Sequence, residues 1–181
     1  MTSDQTLSRE RLDLLDSLRK HRELFLTTVQ GLSDEQARER PTVSELSLGG
    51  LVKHVTHTVA AWNSFVTDGA SEQPEIDWAT IDWTNPPAQV LEFQAQFVMG
   101  ADETLAGLVA AYAAVADRTE ELVAQVPDLD ADHLLPEAPW FVPGTRWSAR
   151  RVFVHVIAEM TQHSGHADII RESLDGQKTM G

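Results

Sequence analysis

The sequence contains no cysteine among its 181 residues. This absence excludes disulfide bridges, cysteine-ligated zinc sites and a protein thiol nucleophile, so any thiol chemistry needs a thiol from outside the chain. Basic residues are also scarce, since 14 Lys and Arg stand against 28 Asp and Glu, for a formal net charge of −14. A charge of this sign repels phosphate backbones and anionic membrane surfaces, so we expect neither a nucleic acid nor a membrane as a partner.

Long apolar runs are missing as well. No run of about 18 apolar residues occurs in the sequence, so no membrane-spanning helix is predicted. The polar residues 1–5 lack the basic and apolar regions of a secretory signal, and we therefore expect a cytoplasmic protein. The hydrophobic content of 42% and the chain length predict one compact domain over residues 1–181.

Apolar residues recur at helical spacings of three and four along four segments of the chain. This spacing buries one face of a helix and leaves the other face to polar residues. The predicted helices cover residues 7–32, 47–66, 102–126 and 148–175. Four long helices with two long connections are typical of a helix bundle, so the predicted fold class is all-α, a four-helix bundle with long crossover connections.

Capping residues mark the expected helix ends. A serine, threonine or aspartate at the N-cap accepts a hydrogen bond from a free amide of the first turn. The N-cap residues assigned to the second, third and fourth helices are Ser44 or Ser47, Asp102 and Ser148. Gly31 ends the first helix, and Ser33 and Gln36 have the spacing of a capping box, which predicts a short helical turn after it.

The two long connections have different compositions. Residues 68–100 form a crossover, in which apolar residues alternate over 93–99, and this alternation predicts either a strand or an extended strap across the bundle. Residues 128–144 form a second, proline-rich loop. Gly49 and Gly50 cost about 1 kcal/mol each at the start of the second helix, which indicates that another backbone comes close there.

The fourth helix carries a stripe of side chains that can bind a metal. Helical spacing, at about 100° per residue, places four of them on one face: His155, Glu159, His163 and His166. An unpaired carboxylate is costly in an apolar interior, whereas a divalent cation compensates its charge. The i, i+4 spacing of Glu159 and His163 lets both reach one ion. The alternative is that these residues only hydrogen-bond to one another, but four ligand-type residues on one stripe favour the metal.

The second helix offers a further ligand. His54 and His57 are three residues apart, so they cannot both lie at the centre of one stripe. One of them is therefore the candidate third ligand, and the other lies at the rim of the site.

These residues resemble those of the DinB-like superfamily of metal-binding four-helix bundles. Residues 48–54 resemble the start of that family's second helix, and residues 155–172 resemble its fourth-helix signature. Glu159 stands where many members carry the middle one of three histidines. That departure is the pattern of the mycothiol-dependent branch, which includes mycothiol-dependent maleylpyruvate isomerase and mycothiol S-transferases. The resemblance covers essentially the whole chain.

The resemblance implies a metal site and an activity. It implies that His54, Glu159 and His163 bind one divalent metal, zinc, with His57 outside the ligand set. Three protein ligands leave an open coordination position, as in catalytic zinc sites. A low-molecular-weight thiol bound there would lose its proton, because a cation stabilises the thiolate. The first hypothesis is therefore a metal-dependent thiol S-transferase that uses mycothiol to conjugate small electrophilic substrates in detoxification.

Other residues and other functions stay open at this stage. His155 and His166 flank the ligands and are candidates for orienting them, for acid-base catalysis, or for a purely structural role. The candidate thiol-binding and substrate-binding residues are His57, Trp62, Trp140 and Arg146. The alternative functions are a metal-containing binding or stress protein without turnover and a hydrolase in which the metal activates water. We expect a monomer or a homodimer.

Overall fold

The computed structural model describes residues 7–71 and 81–179, so the expectation for residues 1–5 lies outside the described residues. Its helices are α1 (Arg9–Thr27), α2 (Asp34–Arg38), α3 (Leu48–Asp68), α4 (Ala88–Ala95), α5 (Leu105–Gln125) and α6 (Ala149–Asp175). Two short strands, β1 (Asp132–Leu134) and β2 (Arg146–Ser148), form an antiparallel pair. None of the helices in these two ranges is long and apolar enough to cross a membrane.

The four long helices α1, α3, α5 and α6 form a bundle, which confirms the predicted all-α fold. Each packs against two neighbours, in the order α1, α5, α3, α6 around the bundle. Phe25, Val52, Tyr112 and Phe153, one from each helix, are fully buried in the shared core. Their burial follows from the spacing of three and four, which gathers the apolar side chains on one face of each helix.

The direction of the helices explains the long crossover. α3 and α5 run parallel, since Lys53 pairs with Glu103 near one end and Asn63 Nδ2 donates to the Val115 carbonyl farther along. A short turn cannot join two parallel neighbours, because the chain has to return along the whole bundle. The connection between α3 and α5 is accordingly long, and its described part, residues 81–104, includes α4.

Two of the three predicted N-caps are confirmed. The Ser47 side chain accepts a hydrogen bond from a first-turn amide of α3, and the Ser148 side chain accepts one from a first-turn amide of α6. Asp102 does not cap α5, which corrects the prediction. Thr104 takes that position, and its Oγ1 accepts the amide of Gly107. Asp102 lies too early in the chain, because the helix begins only after Thr104.

The end of α1 differs slightly from the prediction. The helix ends at Thr27, and the chain continues in hydrogen-bonded turns to Gly31. Gly31 has a φ of 74°, a left-handed conformation that glycine adopts at little cost. The capping box of Ser33 and Gln36 is present and opens the short helix α2.

Residues 93–99 form neither a strand nor an extended strap, which corrects both conformations predicted for this segment. Phe93 belongs to α4, and the chain then turns over residues 96–98. A strand needs a neighbouring strand to accept its amides. Here the amides of Phe97 and Val98 donate to carbonyls three residues earlier, so the segment satisfies its backbone locally.

The crossover meets α3 at its two glycines, as the sequence predicted. A Cβ at Gly50 would overlap the main-chain carbonyl oxygen of Phe97, and a Cβ at Gly49 would overlap the side chain of Met99. Glycine is therefore required at Gly50 for residues 97–99, the crossing segment, to lie against the start of α3, whereas at Gly49 it leaves room for the Met99 side chain.

The second connection contains the hairpin β1–β2, where the sequence predicted only a loop. Trp147 lies opposite His133 in the ladder, and Arg146 pairs with Asp132 at 2.7 Å. Ser148 is the last residue of β2 and also the N-cap of α6. The hairpin therefore fixes the position at which α6 begins.

Candidate metal centre

Two helices bring three potential metal ligands together. His54 of α3 lies opposite His163 of α6, with 4.9 Å between the ring centroids. Glu159, one turn before His163, points to the same place. One potential ligand atom from each of the three residues lies within 4.8 Å of the others. We call His54, Glu159 and His163 the triad.

His54 is buried and electrically neutral. Its side chain is 8% exposed, and the ring of Phe97 stacks on it with centroids 4.0 Å apart and planes 20° apart. Burial disfavours the charged imidazole, and repulsion by His163 adds to this effect, so the pKa of His54 falls from 6.5 to about 4 although Glu159 opposes the change. At pH 7 His54 is therefore in the neutral form that binds metals.

Glu159 supplies a negative charge at the triad. Its carboxylate oxygens lie 3.4 Å from Nε2 of His163 and 3.3 Å from Nε2 of His155. Hydrogen bonding to His163 lowers the pKa of Glu159 below its usual value of 4.5, and this effect outweighs the opposing effect of burial. The carboxylate is thus ionised at neutral pH in a half-buried position.

The triad fits a zinc-type ion in both chemistry and burial. Two imidazoles and one carboxylate are donors that zinc takes in catalytic sites. Within the described residues, the buried side-chain polar atoms that lack a hydrogen-bond partner are Nδ1 of His54 and Nδ1 of His163. Buried polar atoms are normally paired, so two unpaired ring nitrogens on neighbouring triad residues are typical of a place where an ion or a water binds.

An aromatic surface extends from the triad towards the start of α6. Trp62 of α3 stacks on Trp147 with centroids 5.0 Å apart and planes 16° apart. The ring of His155 meets both tryptophans edge-on, at 4.9 Å from each. We call Trp62, Trp147 and His155 the aromatic wall. Burial lowers the pKa of His155 and so favours its neutral ring, whose Nε2 lies 3.3 Å from a carboxylate oxygen of Glu159.

The chain matches one known protein family over most of its length. The family model described as Mycothiol-S-transferase matches residues 13–176. That match includes the whole triad, all of α3, α5 and α6, and most of α1. The chain belongs to the mycothiol-S-transferase family. The name of the family supports a mycothiol-related transferase, in agreement with the DinB-like resemblance of the sequence.

The solved structures add support for the fold of this family member. A crystal structure described as the conserved protein of a locus from Enterococcus faecalis is 18% identical, and the match covers 95% of this chain and 100% of that chain. Its TM-score is 0.65. At this identity the similarity concerns the fold alone. No curated protein matches the chain.

The remaining histidines of the prediction lie around the triad. His57 is exposed on α3, one turn beyond His54, and is not part of the cluster. His166 is exposed on α6, and its ring centroid lies 5.6 Å from that of His163. Of the two flanking histidines, His155 is the one in contact with Glu159.

The predicted substrate residues fall on two surfaces. Trp62 belongs to the aromatic wall. Trp140 is 62% exposed and packs against Phe141, which in turn contacts Trp147, so it extends the same wall. Arg146 lies in the hairpin, where its guanidinium already has a carboxylate partner within the chain, Asp132.

The sequence did not reveal three residues at the site, namely Phe97, Trp147 and Arg151. Arg151 precedes His155 by one helical turn, so extending the stripe backwards by four residues could have found it. Gly49 and Gly50 indicated that another backbone lies close to the start of α3. They did not indicate that the Phe97 side chain of that segment contacts His54. Nothing in the sequence indicated the stacking of Trp147 on Trp62.

Proposed function

We propose that this member of the mycothiol-S-transferase family is a zinc-dependent transferase that conjugates mycothiol to small electrophilic substrates in detoxification. The triad carries the proposal, because two buried histidines and an ionised carboxylate converge there and two ring nitrogens lack a protein partner. Since the chain has no cysteine, the attacking sulfur has to come from the thiol co-substrate.

The residues of the site have separate roles in this proposal. His54, Glu159 and His163 would hold the ion. Such an ion, when bound, stabilises the thiolate form of an external thiol and lowers its pKa. His155 holds the Glu159 carboxylate in place. Phe97 covers one face of His54 and keeps water from it, while the aromatic wall offers an apolar surface to the electrophile.

The rest of the proposal concerns the protein in the cell. We place the protein in the cytoplasm and treat residues 1–181 as one domain, present as a monomer or a homodimer. A thiol such as mycothiol is a small molecule, so the open surface beside the triad has to admit both it and the electrophile.

A conjugation assay tests the proposal. Zinc-loaded protein is incubated with mycothiol and monochlorobimane, and the fluorescent conjugate is measured. We expect a rate that saturates with mycothiol, disappears with a chelator and returns with zinc. Glu159→Gln keeps the size of the side chain but removes its charge, and should lose metal and activity together. His57→Gln is the matched control on α3 and should retain its metal.

The outcome also separates the alternatives. Zinc-loaded protein that forms no conjugate with mycothiol or glutathione, across several electrophiles, contradicts a transferase. Ester hydrolysis by that same protein would then support the hydrolase, and ligand binding without turnover would support the binding protein. Exchange of mycothiol for glutathione should reduce the rate if mycothiol is the natural thiol.

A further inference from the structure

Arg151 lies one turn before His155 on α6, and its guanidinium has no acceptor among residues 7–71 and 81–179. Among the described residues, Arg151 and Lys20 are the two of the 14 Lys and Arg side chains that make neither a hydrogen bond nor an ion pair. The others donate to carboxylates or to main-chain carbonyls, as Arg146 does to Asp132. Arg151 is exposed, as Lys20 is, but unlike Lys20 it lies on the helix that carries Glu159 and His163, so its donors face solvent beside the candidate site.

The position of the Arg151 side chain is fixed by an aromatic ring. Its guanidinium carbon lies 4.1 Å from the centre of the Trp147 ring, and Trp147 is itself stacked on Trp62. Contact of this kind stabilises the cation over the ring. A contact of the guanidinium carbon with a ring uses none of the N–H donors, so they stay available for hydrogen bonds. The group is therefore held in place with its donors unused.

The guanidinium and the triad lie on the same side of α6. Residues 151, 155 and 159 are spaced by four, so they share one face, and a rise of 1.5 Å per residue places Arg151 roughly 12 Å from Glu159 along the helix axis. The positive charge of Arg151 also contributes to the lowered pKa of His155, which agrees with their proximity. A planar molecule that reacts at the triad and lies along the aromatic wall would extend towards Arg151.

The start of α6 offers no other donor group of this kind in the described part of the chain. The amides of Ala149 and Arg150 donate to carbonyls of the preceding loop, and the amide of Arg151 donates to the hydroxyl of Ser148. These three amides of the helix N-terminus are therefore already used by the protein itself, whereas the cationic donors of the Arg151 side chain are not.

We propose that Arg151 binds the carboxylate of an anionic electrophile whose planar part lies on the aromatic wall. This inference rests on the proposed function and names its substrate class, a planar electrophile with a carboxylate. The planar fork of a guanidinium matches the two oxygens of a carboxylate. A chain with a net charge of −14 repels anions as a whole, so an anionic substrate needs a local cation at the site.

A pair of substrates tests the proposal, 4-chloro-3-nitrobenzoate and its methyl ester. In both, the thiol sulfur forms a bond with the ring carbon that carries chlorine. The carbon–chlorine bond breaks, chloride leaves with the bonding pair, and the thiol proton goes to solvent. The two substrates share this reaction and differ in the charge at the far end of the ring.

The measured quantity is kcat/KM for each substrate at saturating mycothiol. Arg151→Gln should lower kcat/KM for the carboxylate about tenfold or more, since a charge-assisted hydrogen bond is lost. Its effect on the ester should stay within about twofold. Arg151→Lys keeps the charge but loses the planar pair of donors, so its kcat/KM for the carboxylate should lie between those of wild type and Arg151→Gln. Lys20→Gln removes the same charge from the exposed surface of α1 and should change neither value.

Calorimetric binding of 3-nitrobenzoate, which cannot react, gives a readout without turnover. Wild type should bind it, and Arg151→Gln should bind it about tenfold more weakly. Three results would show that the anion site is wrong while the transferase stands. Arg151→Gln could leave kcat/KM unchanged for both substrates, lower kcat/KM equally for both, or change the KM for mycothiol. If the zinc-loaded protein forms no conjugate with mycothiol or glutathione across several electrophiles, but wild type binds 3-nitrobenzoate more tightly than Arg151→Gln, the transferase is wrong while the anion site stands.

Discussion

Acid should weaken the metal-free protein through His54. This residue is 8% exposed, and its pKa is about 4 in the folded chain against 6.5 ordinarily. Between these two values, the unfolded chain binds a proton at this residue that the folded chain does not bind. Stability rises with pH wherever the unfolded state binds more protons, so lowering the pH from 6.5 to 4 removes stability.

The size of the effect follows from the two pKa values of His54. The difference between them corresponds to about 3 kcal/mol in the free energy of unfolding. At pH 5 the unfolded histidine is almost fully protonated, whereas the folded one is mostly neutral, so about 2 kcal/mol has been lost. This is a large share of the 5–15 kcal/mol that stabilises a typical domain, and it lies well within the range of measurement.

Urea denaturation in excess chelator, at pH 8 and at pH 5, measures the loss. His54→Gln lacks the titrating group, so wild type should lose about 2 kcal/mol more than this variant between the two pH values. His57→Gln changes an exposed histidine on the same helix and should follow wild type. If wild type and His54→Gln lose stability in parallel, the reasoning about the buried imidazole is wrong.

Three further predictions concern the metal and the packing around it. Alanine at any triad position should remove most of the bound metal, as measured by mass spectrometry of the purified protein, whereas His57→Ala should keep it. If His57→Ala lost the metal and His54→Ala kept it, the ligand assignment on α3 would be wrong. Chelation should lower the melting temperature, because the charge of Glu159 loses its compensation, yet leave the helical circular dichroism largely intact. An unfolded chelated protein would show that the apolar core is insufficient without the ion. Gly50→Ala should lower the free energy of unfolding by about 1–3 kcal/mol in urea, since its methyl group overlaps the crossing segment, while Gly165→Ala, which meets no neighbour, should be neutral or stabilising.

Helical periodicity was sufficient to locate the four long helices, because the burial of one face is a local property of the sequence. Caps were predictable where the polar residue stands directly before the apolar pattern, as Ser148 does. They failed at Asp102, because Thr104 stands nearer to the first turn of α5. In the crossover, apolar residues alternate around Phe93 as they do in a strand. A strand without a partner leaves its backbone N–H and C=O groups without hydrogen bonds, and the residues up to Ala95 form the helix α4 instead.

The structure brings Glu159 and His163 into one cluster because they lie one turn apart on one helix, and their role as ligands stays a prediction. The choice between His54 and His57 came from the family resemblance, since spacing alone could not make it. Contacts between distant segments were not predictable in this way. The stacking of Phe97 on His54 depends on where the crossover settles, which no local pattern encodes.

The triad takes its members from two helices that are distant in sequence. His54 and Glu159 are separated by roughly 100 residues, which include the crossover, α5 and the hairpin. An ion held by the whole triad would therefore act as a crosslink that closes a very long loop, and in the chain-entropy model a covalent link over such a loop removes about 4–5 kcal/mol of entropy from the unfolded state. A protease that cut the chain between α3 and α6 would leave two fragments still joined at the ion, and a chelator would release that link. The bound ion, more than an unbroken chain between α3 and α6, would then hold His54 close to Glu159 and His163.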